Sequence, residues 1–281
     1  MSTVEEKPLE PQTQPITTTP KDENSSQNAI KKGFFRDTFE SLLVTVIMAL
    51  FGMTFIVQAV KVPTGSMLNT ILVGDHLLVN KFVFGQDGLM LDKFTPHRQI
   101  KRGDVIVFKY PNDPATNYVK RVIGLPGETI EIKGNSVFIN GKELPEQFVL
   151  AKQPFDDSNA PLEILGQDEP KPDSAYKVYY SSDENEVEPD IEKVSAGQKF
   201  AVGAPFQIPP DHYFAMGDNR DNSQDSRYWG TVPRNYIVGR AWIVYYSVNL
   251  AKDEEGSTTS GNLLNDLFTR IRWNRTGTLI K

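Results

Sequence analysis

Two stretches decide the fold of this chain: Asp104-Val-Ile-Val-Phe-Lys-Tyr110, closed by Pro111, and Thr129-Ile-Glu-Ile-Lys133, turned by Gly134-Asn135 into Val137-Phe-Ile139. The first mixes β-branched and aromatic residues and stops at a residue that cannot extend a ladder. The second alternates apolar and polar side chains at the strand period of two, and Asn140-Gly141 after it suits a type I′ hairpin turn. Working outward, Tyr213-Phe-Ala-Met216 and Ala241-Trp-Ile-Val-Tyr-Tyr246 read as later strands. Short strands with turn signals between them predict a mainly β, antiparallel-sheet domain from about Val62 to Val248. Ala151 to Gly197 is poorer in strand pattern and rich in Pro, Asp, Glu and Ser, which predicts a β/loop insertion over about 151–200, between core parts at 61–150 and 201–250.

The N-terminal side has a different grammar. Residues up to about Ile30 carry Pro, Thr, Ser, Gln and Glu with few large apolar side chains, so they cannot offset the entropy of ordering. A disordered tail over 1–37 is expected. Leu42 to Val60 is an uncharged, apolar run of about 19 residues, near the roughly 20 needed to cross a bilayer, which predicts one transmembrane helix over 38–60. Lys31, Lys32 and Arg36 precede it while Lys61 alone follows closely, so the positive-inside bias sets the N-terminus in the cytoplasm and the bulk outside. Beyond Val248, residues 251–281 read as a polar linker and a helix whose Leu263, Leu264, Leu267, Phe268 and Ile271 share a face, with Arg270, Arg272 and Arg275 beside them. Packing of that helix on the β domain is the plainer expectation; lying on a bilayer surface is the alternative.

Composition narrows the chemistry. Of 281 residues 39% are hydrophobic, enough for a core, and the net charge of −6 offers no basic footprint for nucleic acid. The absence of cysteine excludes thiol nucleophiles, disulfides and thiolate metal sites. Three histidines, His76, His97 and His212, leave room for one catalytic triad. However, Asp75 and His76 are adjacent and point apart on a strand, and His97 and His212 sit in Pro-flanked loops.

A different base is available. Val62-Pro-Thr64-Gly-Ser66-Met67 sets a serine in a tight turn directly after the apolar run, and Lys120 falls among apolar residues in Asn117-Tyr-Val-Lys-Arg-Val122. A lysine buried against that serine loses charge stability, and a neutral amine can take a hydroxyl proton. Arg121 points to the opposite strand face. Met216-Gly-Asp-Asn-Arg-Asp-Asn-Ser-Gln-Asp-Ser-Arg-Tyr-Trp-Gly230 is too charged for a core strand, and as a calcium loop it has an arginine in a ligand slot and lacks the expected Gly and Glu. It reads as a rigid loop in which Asp218 and Asp225 pair with Arg220, Arg227 or Arg121, with Ser223 free to bond a catalytic group.

Taken together, PTGSM, GDHLLVNK, VKRVIGLPGET and GDNRDNSQDSRYWG, in this order after an apolar anchor, resemble the bacterial type I signal peptidases. The resemblance implies a membrane serine protease that cleaves signal peptides from exported preproteins, acting as a monomer without metal or cofactor. It implies Ser66 as nucleophile, Lys120 as general base, Ser223 orienting the lysine amine and Gly217 allowing close approach. Asp218, Arg121, Asp225 and Arg227 are then supporting residues. The oxyanion would be held by the Ser66 amide and the Thr64 hydroxyl, threonine replacing the commoner serine. Val62, Met67, Ile71, Tyr118 and Val119 match positions near the family's binding groove. The family's usual proline is absent from Met67-Leu68-Asn69-Thr70, a difference in local rigidity.

Overall fold

The computed structural model describes residues 23–52, 57–85, 97–152, 161–170, 173–181, 197, 199–249 and 270–281, with side chains from Arg36 onward. Residues 1–22 of the expected tail, much of the insertion, and 250–269, which carry most of the expected C-terminal helix, lie outside the described residues.

Two compact units divide the chain near Leu50. The first holds α1 (Glu23–Phe51), which begins inside the segment expected to be a disordered tail. Arg36 pairs with Glu40 one turn on, and Thr45 Oγ1 bonds back to Ser41 O. Phe39, Leu42, Val44, Ile47, Met48 and Leu50 are all exposed, so the C-terminal part of the helix presents apolar side chains on more than one face. Among the described residues no helix is long and apolar enough to cross a membrane. The expected span over 38–60 is corrected at its far end: α1 stops at Phe51, and Val57–Lys61 is strand β1, paired antiparallel with β2 (Asp75–Asn80). Hydropathy cannot tell an apolar strand from the end of an apolar helix, and here Val57 and Val60, both β-branched, take the strand.

The second unit is built on a seven-stranded antiparallel sheet in the order β1-β2-β14-β3-β4-β12-β13. Its remaining members are β3 (Val105–Tyr110), β4 (Asp113–Gly124), β12 (His212–Met216), β13 (Val232–Pro233) and β14 (Ile237–Ser247). A second sheet joins β5 (Thr129–Lys133), β6 (Ser136–Ile139), β7 (Lys142–Glu143) and β11 (Phe206–Gln207). Asn140 and Gly141 both take positive φ, 51° and 79°, as a type I′ turn requires. Phe214 and Met216 of β12 pack with Ile130, Ile132 and Val137 of the second sheet, so the two sheets share one core.

The insertion is more ordered than its composition predicts. β8 (Gln147–Lys152) is flanked by β9 (Glu163–Gln167), antiparallel, and β10 (Lys177–Ser181), parallel, forming a three-stranded sheet. This is the one parallel pair of named strands among the described residues, and it lies where the expected β/loop insertion joins the antiparallel core. The C-terminal expectation is corrected where it is described: Ile271 bridges to Val248 and Trp273–Arg275 form a 3-10 turn. Arg272 donates to Val73 O and Val248 O, and Arg275 to Thr70 O and Asp75, so both arginines cap buried oxygens and do not line an amphipathic helix.

Candidate active site

Ser66 lies in a turn that follows β1, held by Leu68 N donating to Gly65 O (3.0 Å) and Ile71 N to Met67 O (2.7 Å). Lys120 sits in the buried half of β4, paired with Ile106 of β3. Strand alternation sends its side chain to one face and that of Arg121 to the other. Lys120 Nζ donates to Ser66 Oγ at 2.5 Å. The two side chains are 3% and 7% exposed, so water can do little to keep the amine charged. Burial lowers the Lys120 pKa to about 8, against the attraction of Asp225 and Asp218 and with the help of Arg227. His76 instead faces Gly74 O (3.2 Å) and packs on Tyr246, and His212 faces Pro210 O (2.9 Å), so neither touches Ser66.

The loop after β12 closes over this pair. A Cβ on Gly217 would fall 2.4 Å from Ser66 O and 2.3 Å from Ser223 Oγ, so only glycine lets the chains approach this closely. Asn219 N donates to Ser66 O (3.1 Å) and its side-chain amide to Gly65 O (3.1 Å), fixing the turn through two of its carbonyls. Ser223 Oγ donates to Asp225 Oδ2 (2.7 Å) and makes no hydrogen bond with Lys120; the proton committed to Asp225 leaves its lone pairs unoccupied. Asp225 also accepts from Gly217 N (3.0 Å) and from Arg227 Nε and Nη2 (2.8 and 2.9 Å), and caps α2 (Ser226–Trp229). Burial alone would raise that carboxyl, but Arg227 and these hydrogen bonds outweigh it and hold it below its ordinary value.

The ion pairs expected of this loop resolve as follows. Asp218 takes a two-pronged contact from Arg121 (2.8 and 2.6 Å) plus the Thr70 hydroxyl (2.6 Å), and Arg121 also lies over the Tyr176 ring at 4.4 Å. Asp225 takes Arg227. Arg220 turns away to Glu146, which contacts two of its nitrogens, and Glu146 also accepts from Tyr176 OH. Sequence reading missed Glu146, Thr70, Tyr176 and Asn219. One signal existed: once Arg121 and Arg227 are matched with Asp218 and Asp225, buried Arg220 needs a carboxylate from elsewhere.

Beside the pair opens a cleft of about 450 Å³ whose lining includes Val62, Thr64, Met67, Tyr118 and Val119. Polar Thr116, Asn117, Asn222 and Gln224, not singled out from sequence, complete its rim. Ile71 does not reach it; it is fully buried in the core with Leu77, Val79 and Val244. Tyr118 stacks on Tyr110 at 4.4 Å, which makes that wall rigid. No protein hydrogen bond occupies the Ser66 N–H or the Thr64 hydroxyl among the described residues, so both donors remain open to a ligand.

A buried serine hydroxyl against a lysine amine of lowered basicity, beside an open cleft, is an arrangement in which a hydroxyl can be activated for attack. Comparison with known proteins agrees: residues 35–246 match the family described as "Signal peptidase, peptidase S26". The chain is 37% identical to the signal peptidase I of Pseudomonas aeruginosa over 74% of its own length and 71% of that protein. For those of Pseudomonas fluorescens and Aquifex aeolicus the identities are 36% and 34%, covering 74% and 75% of this chain and 71% and 84% of theirs. The chain belongs to the signal peptidase S26 family and is a serine endopeptidase.

Proposed function

We propose that this protein removes N-terminal signal peptides from exported preproteins, cleaving after small residues in an A-x-A-like pattern through an acyl-enzyme on Ser66. The single observation that carries this reading is the 2.5 Å contact between Lys120 Nζ and Ser66 Oγ in a site where burial lowers the lysine pKa to about 8. Neutral Lys120 takes the hydroxyl proton as Ser66 Oγ attacks the scissile carbonyl. The Ser66 N–H and Thr64 hydroxyl receive the oxyanion, where donors fixed in advance count most. The ammonium then returns its proton to the leaving amine, and the same amine activates the water that releases the acyl group. Ser223, anchored by Asp225, offers a lone pair that holds the ammonium in place between these steps. The scheme invokes no metal or cofactor.

Val62, Met67, Tyr118 and Val119 present apolar walls to the cleft, suited to small side chains flanking the cut. The apolar helix from Leu42, with exposed apolar side chains on more than one face, supports anchorage in a lipid bilayer. With Lys31, Lys32 and Arg36 before it, the N-terminus lies in the cytoplasm and the β domain on the outer side of the plasma membrane. Confinement to that surface brings the site to the stretch of a preprotein that emerges from the bilayer. A monomer suffices, because one chain supplies every group in the scheme.

The test is cleavage of a preprotein bearing an A-x-A site by detergent-solubilised full chain, alongside Ser66→Ala and Lys120→Met. Loss of product in both variants with folding intact is expected. Product from Ser66→Ala at the wild-type rate would overturn the nucleophile assignment.

A further inference from the structure

Asn69, three residues beyond Ser66, has φ of +69°. Left-handed asparagine is often no more than a turn residue. Here, however, its side-chain amide is used at both ends by one distant residue: Leu162 N donates to Asn69 Oδ1 at 2.9 Å, and Asn69 Nδ2 donates to Leu162 O at 3.4 Å. The amide therefore pairs with Leu162 as a neighbouring strand would. Leu162 immediately precedes β9, is 5% exposed, and packs with Leu68 and Leu72 of the nucleophile turn and with Val149, Ala151 and Tyr179 of the insertion sheet.

From β9 the hydrogen bonding runs through β8 to β10 and returns to the site. Tyr179 N donates to Asp218 O (2.8 Å) and Arg220 N to Tyr179 O (2.8 Å), so β10 grips the loop on both sides of Asn219. Asn219 in turn donates to the carbonyls of Ser66 and Gly65. A closed circuit results, from the Ser66 turn through Asn69, the insertion sheet and Asn219, back to Ser66. We propose that Asn69 is a positioning residue for cleavage, fastening the nucleophile turn to the insertion sheet so that Ser66 Oγ stays within proton-transfer reach of Lys120. The insertion thereby acts as the back wall of the active site. Proline at this position would be barred, because its ring fixes φ near −65°.

The inference rests on Ser66 being the nucleophile, so Ser66→Ala runs beside every variant. Asn69→Gly keeps the left-handed backbone accessible and deletes both bonds, while Asn69→Asp keeps the acceptor for Leu162 N–H and loses the donor. Initial rates of preprotein cleavage by full chain in detergent give kcat and KM across pH, well below the melting temperature of each variant. For Asn69→Gly, kcat falls about tenfold, as loosened reactive geometry predicts, with KM within about twofold. In Asn69→Gly the midpoint of the acid limb does not move, because Asp225, Arg227 and Asp218, the charged groups acting on Lys120, are retained; the kcat of Asn69→Asp falls between. Wild-type kcat in folded Asn69→Gly, or a loss that tracks the unfolded fraction on warming, overturns the proposal. If Asn69→Gly does not accumulate folded, Asn69→Asp decides: reduced kcat at retained melting temperature supports the role and unchanged kcat refutes it. Activity in Ser66→Ala would instead remove the premise.

Discussion

Lys120→Met should abolish cleavage and at the same time make the folded protein more stable. At pH 7 the lysine is still mostly charged, and it is held 3% exposed in a site that lowers its pKa from 10.5 to about 8. Because the folded pKa lies below the unfolded one, the unfolded chain binds the proton more readily. The resulting penalty on folding is fully present below about pH 8 and disappears as pH rises through about 10.5. From those two values it is about 3 kcal/mol at pH 7 and under about 1 kcal/mol at pH 10. Methionine fills similar space without charge; losing the hydrogen bond to Ser66 costs about 1 kcal/mol, softened because Ser66 borders the cleft. The net gain expected at pH 7 is about 2 kcal/mol, shrinking to nothing or reversing by pH 10. Urea unfolding of both proteins at the two pH values reads this directly. A Lys120→Met variant less stable than wild type at pH 7, or a difference identical at both pH values, would refute the claim that burial depresses this lysine.

Two further outcomes follow from the same geometry. Gly217→Ala places a Cβ 2.4 Å from Ser66 O and 2.3 Å from Ser223 Oγ; the turn must shift, lowering kcat about 100-fold and stability by about 1–3 kcal/mol, measured by preprotein cleavage and urea melts. Glu146→Ala leaves Arg220, 1% exposed, without its carboxylate and should destabilise the protein by about 3–5 kcal/mol in the same unfolding assay.

The β architecture was legible because its hairpins are local. Thr129–Lys133 emerges with the predicted ends, and Asn140-Gly141 adopts the predicted turn, since both depend on neighbours in sequence. The run from Leu42 to Val60 misled because hydropathy is blind to backbone conformation: the pairing of Val57–Lys61 with Asp75–Asn80 is set by a strand beyond the Ser66 turn. The insertion misled for a related reason. Its strands draw stability from contacts with distant segments, through Leu162 on Leu68 and Leu72 and through Tyr179 on the loop at Asn219, which leave little periodicity in Ala151–Gly197 itself. At the site, Ser66, Lys120, Gly217, Asp225 and Arg227 come together as their motifs suggested. Glu146, Thr70 and Asn69 were hidden because each acts across a long sequence separation, with no motif of its own. Ile71 matched a groove position by motif, yet the turn directs it into the core.

The most direct test of a lysine base is the pH dependence of kcat/KM, which reports the free enzyme, for wild-type cleavage of a preprotein bearing an A-x-A site, measured in detergent from pH 6 to pH 10. Only the neutral amine accepts the serine proton, so with a pKa of about 8 about a tenth of the enzyme is competent at pH 7 and most of it by pH 9. The expected rate climbs about tenfold per pH unit at the acid end and levels off above pH 8, with the folded fraction constant throughout. A rate that is flat down to pH 6 would contradict Lys120 as the base.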